Sequence, residues 1–179
     1  MTWITYDRLP TEHGEHILEI MQENFLLDDL IIKIKGQLES SEKTDSNRSK
    51  SYIFLGQAYW KKQLLEDALE ILQIGLKEID EQNSENKTDK AVIYNHIGLV
   101  YESQGQCQEA LEYFQKSLDI VRKIYGEEHS DTAANYSNIG SIYHSKGQSE
   151  KALEYLQKSL DIKRKIYGEE HPDTATSYS

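Results

Sequence analysis

Few residues in this chain are of types that do chemistry, and none is spaced well for it. His13 and His16 sit among Glu12 and Glu15. Three apart on a helix, two imidazoles could start a metal site, but the pattern specifies no third ligand. A solvated helix start is the reading that remains. Cys107 falls at the start of a predicted helix, where a thiol can be activated. Its neighbours Gln106, Gln108 and Glu109 bring no positive charge, so it reads as inert. His129 and His171 lie 42 residues apart and read as capping or hydrogen-bonding residues of a repeated connector. There is no phosphate-binding loop, no Gly-x-Ser-x-Gly elbow and no His-Glu-x-x-His. The chain is therefore not expected to be an enzyme, and no cofactor or metal is expected.

Charge narrows the partners. The 179 residues carry 20 Lys+Arg against 31 Asp+Glu, a net charge of −11. That balance argues against a nucleic-acid backbone or an anionic membrane as the main partner. The basic clusters Arg122-Lys123 and Lys163-Arg164-Lys165 are each followed by a Glu-Glu connector. Local neutralisation on a solvated convex face is expected there. The single cysteine forms no intrachain disulfide. Met1 to Pro10 has no signal-peptide pattern, and no apolar run approaches the roughly 20 residues of a membrane span. A cytoplasmic residence is expected.

The element that must position everything is a repeat. Eleven of the twelve tyrosines recur at a step of 42, as Tyr52, Tyr94, Tyr136 and Tyr178 do. Gly56, Gly98 and Gly140 keep the same step, and so do Ala68, Ala110 and Ala152. Residues 84–125 and 126–167 share 24 of 42 positions. A fixed period in this range means stacked units that bury one continuous core. Within a period, Ala133, Tyr136, Ile139, Gly140 and Tyr143 share one helical face. A second stripe, Ala152, Leu153, Leu156, Leu160 and Ile166, follows a short break. Two helices joined so tightly lie antiparallel. The glycine is expected to let the second helix approach, with the alanine facing it. The tyrosines are expected to fill gaps between repeats. Gly168 is expected to close its helix in a left-handed conformation.

The pattern Tyr-x2-Leu/Ile-Gly-x2-Tyr followed by Ala-x3-Leu/Phe resembles the tetratricopeptide repeat. It runs through Tyr52, Leu55, Gly56, Tyr59, Ala68 and Leu72, and again through Tyr94, Ile97, Gly98, Tyr101, Ala110 and Phe114. The third copy uses Tyr136, Ile139, Gly140, Tyr143, Ala152 and Leu156. The longer second helix and the connector 168–175 are similar to the kinesin-light-chain type of repeat. The resemblance implies an all-α, right-handed solenoid of antiparallel helix pairs. Repeats are expected at 49–90, 91–132 and 133–174, with 175–179 opening a truncated fourth. Residues 1–38 are expected to be a helical appendage with a short strand at 3–9, joined by a polar linker at 39–48. Ile4 to Leu30 also resembles the first strand and helix of arylalkylamine-type acetyltransferases. The chain has no Gly-x-Gly for their acetyl-coenzyme A loop.

The resemblance further implies a concave groove lined by the first helices. It places Lys50, Ile53, Gln57, Trp60 and Lys61 there from the first repeat. The second supplies Asn95, His96, Leu99 and Glu102, and the third Asn138, Ser141 and His144. Trp60 is expected to be a binding residue that the fold does not need. The carboxylate clamp of co-chaperone repeats would fall on Ile53, Gln57, His96, Ala134 and Asn138, and none matches. Binding of a chaperone C-terminal tail is therefore not expected. The functional expectation is a scaffold that takes a peptide or helical segment of a partner protein. The alternatives are a module that self-associates through its open C-terminal edge, and a regulatory appendage of an enzyme.

Overall fold

The computed structural model describes residues 27–41, 47–81 and 86–168. The strand expected at 3–9, most of the acetyltransferase-like segment, His13, His16 and the fourth-repeat stub lie outside the described residues. Among those described there are seven helices and no strand. They are α1 (Leu27–Ser40), α2 (Arg48–Lys61), α3 (Leu65–Glu81), α4 (Lys87–Ser103), α5 (Cys107–Tyr125), α6 (Ser130–Ser145) and α7 (Ser149–Tyr167). The helices α2/α3, α4/α5 and α6/α7 form the pairs, and each second helix also packs on the first helix of the next pair. The result is an all-α solenoid. No described helix is long and apolar enough to cross a membrane.

Each pair closes on its glycine, but the partner is not the expected alanine. A Cβ on Gly98 would lie 2.6 Å from Cε1 of Phe114. On Gly56 it would lie 2.5 Å from Leu72, and on Gly140 2.8 Å from Leu156. The large residue one turn beyond the alanine fills the space the missing side chain leaves. Ala68, Ala110 and Ala152 are buried beside it.

The tyrosines do more than expected. Besides packing against neighbouring repeats, they clamp within a repeat. Tyr94 and Tyr101, two turns apart on α4, both meet Tyr113 of α5, at ring-centroid distances of 5.9 and 5.5 Å. Tyr136 and Tyr143 meet Tyr155 in the same way, at 6.0 and 5.4 Å. Such ring pairs add about 0.5–1.5 kcal/mol beyond the area they bury. The helix-ending glycines take the expected positive φ, with an extended ψ in place of the αL value. Gly126 has φ 87° and ψ −173°, a region that only glycine visits readily.

The N-terminal helix is tied down by a residue at the edge of the expected linker. Helix α1 continues through Glu39 and Ser40, so the connection is shorter than 39–48. Arg48 is buried and caps the end of α1, donating from Nη1 to the Leu38 carbonyl at 2.6 Å and to Ser41 Oγ at 2.8 Å. Its Nε and Nη2 grip both carboxylate oxygens of Glu78 at 2.9 Å. Glu78 holds the guanidinium charged, and Tyr52 adds its hydroxyl at 3.0 Å.

Gly98→Val should destabilise the chain by about 1–3 kcal/mol or more, because the new methyl groups drive α4 and α5 apart. Chemical denaturation of the two proteins measures this, and equal midpoints would refute the close-contact account.

Candidate functional site

The first helices α2, α4 and α6 stand side by side, and polar side chains join them. Between α2 and α4, Ser49 donates to Asp89, and Gln57 Nε2 lies 2.8 Å from His96 Nε2. One turn on, the Trp60 indole donates to Ser103 Oγ at 2.8 Å. Between α4 and α6, Asn138 Nδ2 donates to Asn95 Oδ1 at 2.9 Å, and Ser141 Oγ donates to Glu102 at 3.0 Å. These partners are 39 to 43 residues apart in the chain. The separation is one period, displaced by a helical step in one direction or the other.

Electrostatics sharpen two of these positions. On a neutral imidazole with its proton on Nδ1, the bare Nε2 accepts from the Gln57 amide. His96 is 8% exposed, and burial pushes its pKa down to about 4. Glu102 is half-buried; burial pushes its carboxyl up, and the Ser141 hydroxyl partly opposes that.

The predicted groove residues divide by depth. Ile53, Gln57 and His96 are buried. Trp60 is half-buried, packs against the N-terminal core and bridges two repeats, so the fold does use it. Lys50, Lys61, Asn95, Leu99, Glu102 and Asn138 are half-buried, while Ser141 and His144 are exposed. Ser49 and Asp89 escaped the sequence reading although they bridge the same two helices. A search for polar residues near one period apart on a shared face would have found them.

The other chemical candidates resolve as connectors. The His129 ring accepts from the Asp131 backbone N–H at 3.2 Å and stacks on Tyr125 at 4.2 Å, which makes it a helix cap. Arg122 pairs with Glu127, and Lys165 with Glu128 at 2.6 Å, so the basic clusters do meet the connector acids. Cys107 is half-buried. Among the described residues no group of His, Cys, Asp or Glu side chains is placed to hold a metal.

The tetratricopeptide-repeat profile matches residues 89–165 and, in a second register, 136–179. The chain belongs to the tetratricopeptide-repeat family. Tetratricopeptide repeats generally mediate protein–protein interaction, and the family generally serves as a non-enzymatic scaffold. Among solved structures, the chain is similar to BtubC (BKLC) from P. vanneervenii, at 20% identity and a TM-score of 0.81, over 93% of this chain and 68% of that one. It is also similar to nearly identical tetratricopeptide-like repeats of a kinesin-light-chain-like protein from Podospora anserina, at 20% identity and a TM-score of 0.71. That match spans 95% of this chain and 83% of the other. MamA matches at 23% identity and a TM-score of 0.61, over 90% and 83% of the two chains. At these identities the likeness is one of fold. No curated protein matches the chain in sequence.

Burial of neutral His96 predicts a pH dependence of this tetratricopeptide-repeat fold. The unfolded chain takes up a proton near pH 6.5, and the folded one only near the depressed value of about 4. Stability from this group is therefore full above pH 6.5 and is lost as pH falls toward 4, by up to roughly 3 kcal/mol. His96→Gln removes that loss. Denaturant melts of both proteins across this window check it; parallel pH profiles would show that His96 does not contribute.

Proposed function

We propose that the chain is an interaction scaffold whose concave face takes a peptide or helical segment of a protein partner. The observation that carries this reading is the row of polar side chains joining α2, α4 and α6. Asn138 gives one amide hydrogen to Asn95, which leaves a donor on Asn95 and an acceptor on Asn138 for a peptide backbone. Half-buried Leu99 and Trp60 supply apolar surface beside these amides. An aromatic beside hydrogen-bonding amides is the composition of a contact hot spot. Lys50, Lys61 and Glu102 bring the formal charge of the predicted groove set near neutral, so a neutral or mildly acidic segment suits it.

A second reading, self-association through the last repeat, is favoured by one observation. Leu153 is 68% exposed and Leu156 37% exposed on α7, whereas Phe114, the counterpart of Leu156 on α5, is fully buried. Sedimentation at high protein concentration should show a larger species, which Leu153→Gln should dissolve. A monomer at all concentrations would remove this reading.

For the groove, a pull-down identifies the partner and titration measures the affinity. Trp60→Ala and Asn138→Ala should each weaken binding by roughly 1 kcal/mol or more without unfolding the chain. Added salt should change the affinity little, because few charges are neutralised. Binding that survives both substitutions, or collapses with salt, would place the partner elsewhere.

A further inference from the structure

The opposite face of the solenoid carries a feature that the groove does not account for. A trough of about 490 Å³ runs between the second helices α5 and α7. Its floor is apolar and aromatic, made by Leu111, Ile139, Tyr143 and Tyr155. Lys116, Lys146 and Lys151 stand over it with Glu112, a net +2 in a chain of −11. The Lys116 ammonium lies 4.5 Å from the Tyr113 ring centre, and that of Lys151 lies 5.2 Å from the Tyr143 ring centre. Lys146 reaches Gln108 Oε1 at 3.3 Å. Among the described residues none of the three has a carboxylate within 4 Å. Glu154 feels the Lys151 charge but pairs with Lys158 at 2.6 Å.

Lysine stems often just cover aromatic surface. The repeat supplies its own control against that explanation. Shifted back by one period, the apolar floor residues become Leu69, Ile97, Tyr101 and Tyr113, all identical in type. The three lysines become Ile74, Gln104 and Glu109, and Gln108 becomes Glu66. With Glu70 at the Glu112 position, the earlier set is net −3 where the later one is +2. Every charge-bearing change runs in the same direction on an unchanged frame. Packing therefore does not demand the lysines.

We propose that this outer trough docks an acidic segment of a partner protein carrying an apolar or aromatic side chain. The ammonium groups would meet carboxylates at the rim, and the Leu111–Tyr143 floor would take the apolar side chain. The trough is wide enough for a phenol or indole ring. A nucleic acid suits it poorly, because the chain's overall charge of −11 repels a polyanion.

The test uses the full chain and a fluorescein-labelled peptide of glutamates and aspartates around a Leu-Trp pair, read by anisotropy. The comparison variant takes residues from the chain's own preceding repeat: Lys116→Ile, Lys146→Gln and Lys151→Glu. It should fold with an unchanged melting profile and bind the peptide about tenfold more weakly or worse. A second variant with glutamine at all three positions should show the same loss. Replacing the peptide's Leu-Trp by serines, or its acids by their amides, should also abolish binding. The variant Trp60→Ala with Asn138→Ala should bind this peptide normally, which separates the trough from the concave groove. Undiminished binding to both lysine variants would overturn the proposal. So would a single-stranded oligonucleotide binding more tightly than the peptide, or loss of peptide binding only in the Trp60/Asn138 variant.

Discussion

In each helix pair the first helix has no side chain where the second helix brings a bulky apolar one. Gly56 receives Leu72, Gly98 receives Phe114 and Gly140 receives Leu156. Everything else is arranged around that contact. It sets the spacing at which Tyr94 and Tyr101 can grip Tyr113, and Tyr136 and Tyr143 can grip Tyr155. With the pairs made rigid, the second helix of one packs against the first helix of the next. Only then do the first helices align closely enough for side chains to join across them.

Two kinds of surface result. The inner face is joined by amides, hydroxyls, a neutral imidazole and the carboxylates of Asp89 and Glu102, with formal charge close to balance. The outer face is built from tyrosine rings topped by lysine ammonium groups, with Lys116 and Lys158 each lying over two rings. Because repeats share a frame, side chains outside that frame are released from packing duty. A change of sign between two junctions then alters recognition without altering the fold.

Much of this was legible in the chain itself. Residues that every repeat needs announce themselves by recurring, and the tyrosine, glycine and alanine positions do so at an unvarying step. What recurs imperfectly was harder to see. Gln57 meets His96 and Trp60 meets Ser103 at distances that straddle the period, because neighbouring helices pack out of step. Trp60 looked dispensable to the fold because its bond to Ser103 cannot be inferred from either helix alone. Arg48 was read with a polar stretch, since nothing local shows that Glu78, thirty residues on, will draw it into the interior. Phe114 at the glycine contact was visible, but which of two neighbouring turns would fill the notch depends on the rotation of the helix.

The polar bridges on the inner face also give the solenoid a mechanical character. Hydrogen bonds between side chains contribute about 0.5–1.5 kcal/mol each and are lost one at a time. On the other side of the first helices, cohesion comes from interlocked apolar side chains that separate only together. Flexing that widens the inner edge therefore meets a soft, stepwise resistance, and flexing that pulls a repeat off its neighbour meets a stiff one. The chain is a leaf spring with a preferred direction of bend, and that direction is the one that opens its concave side.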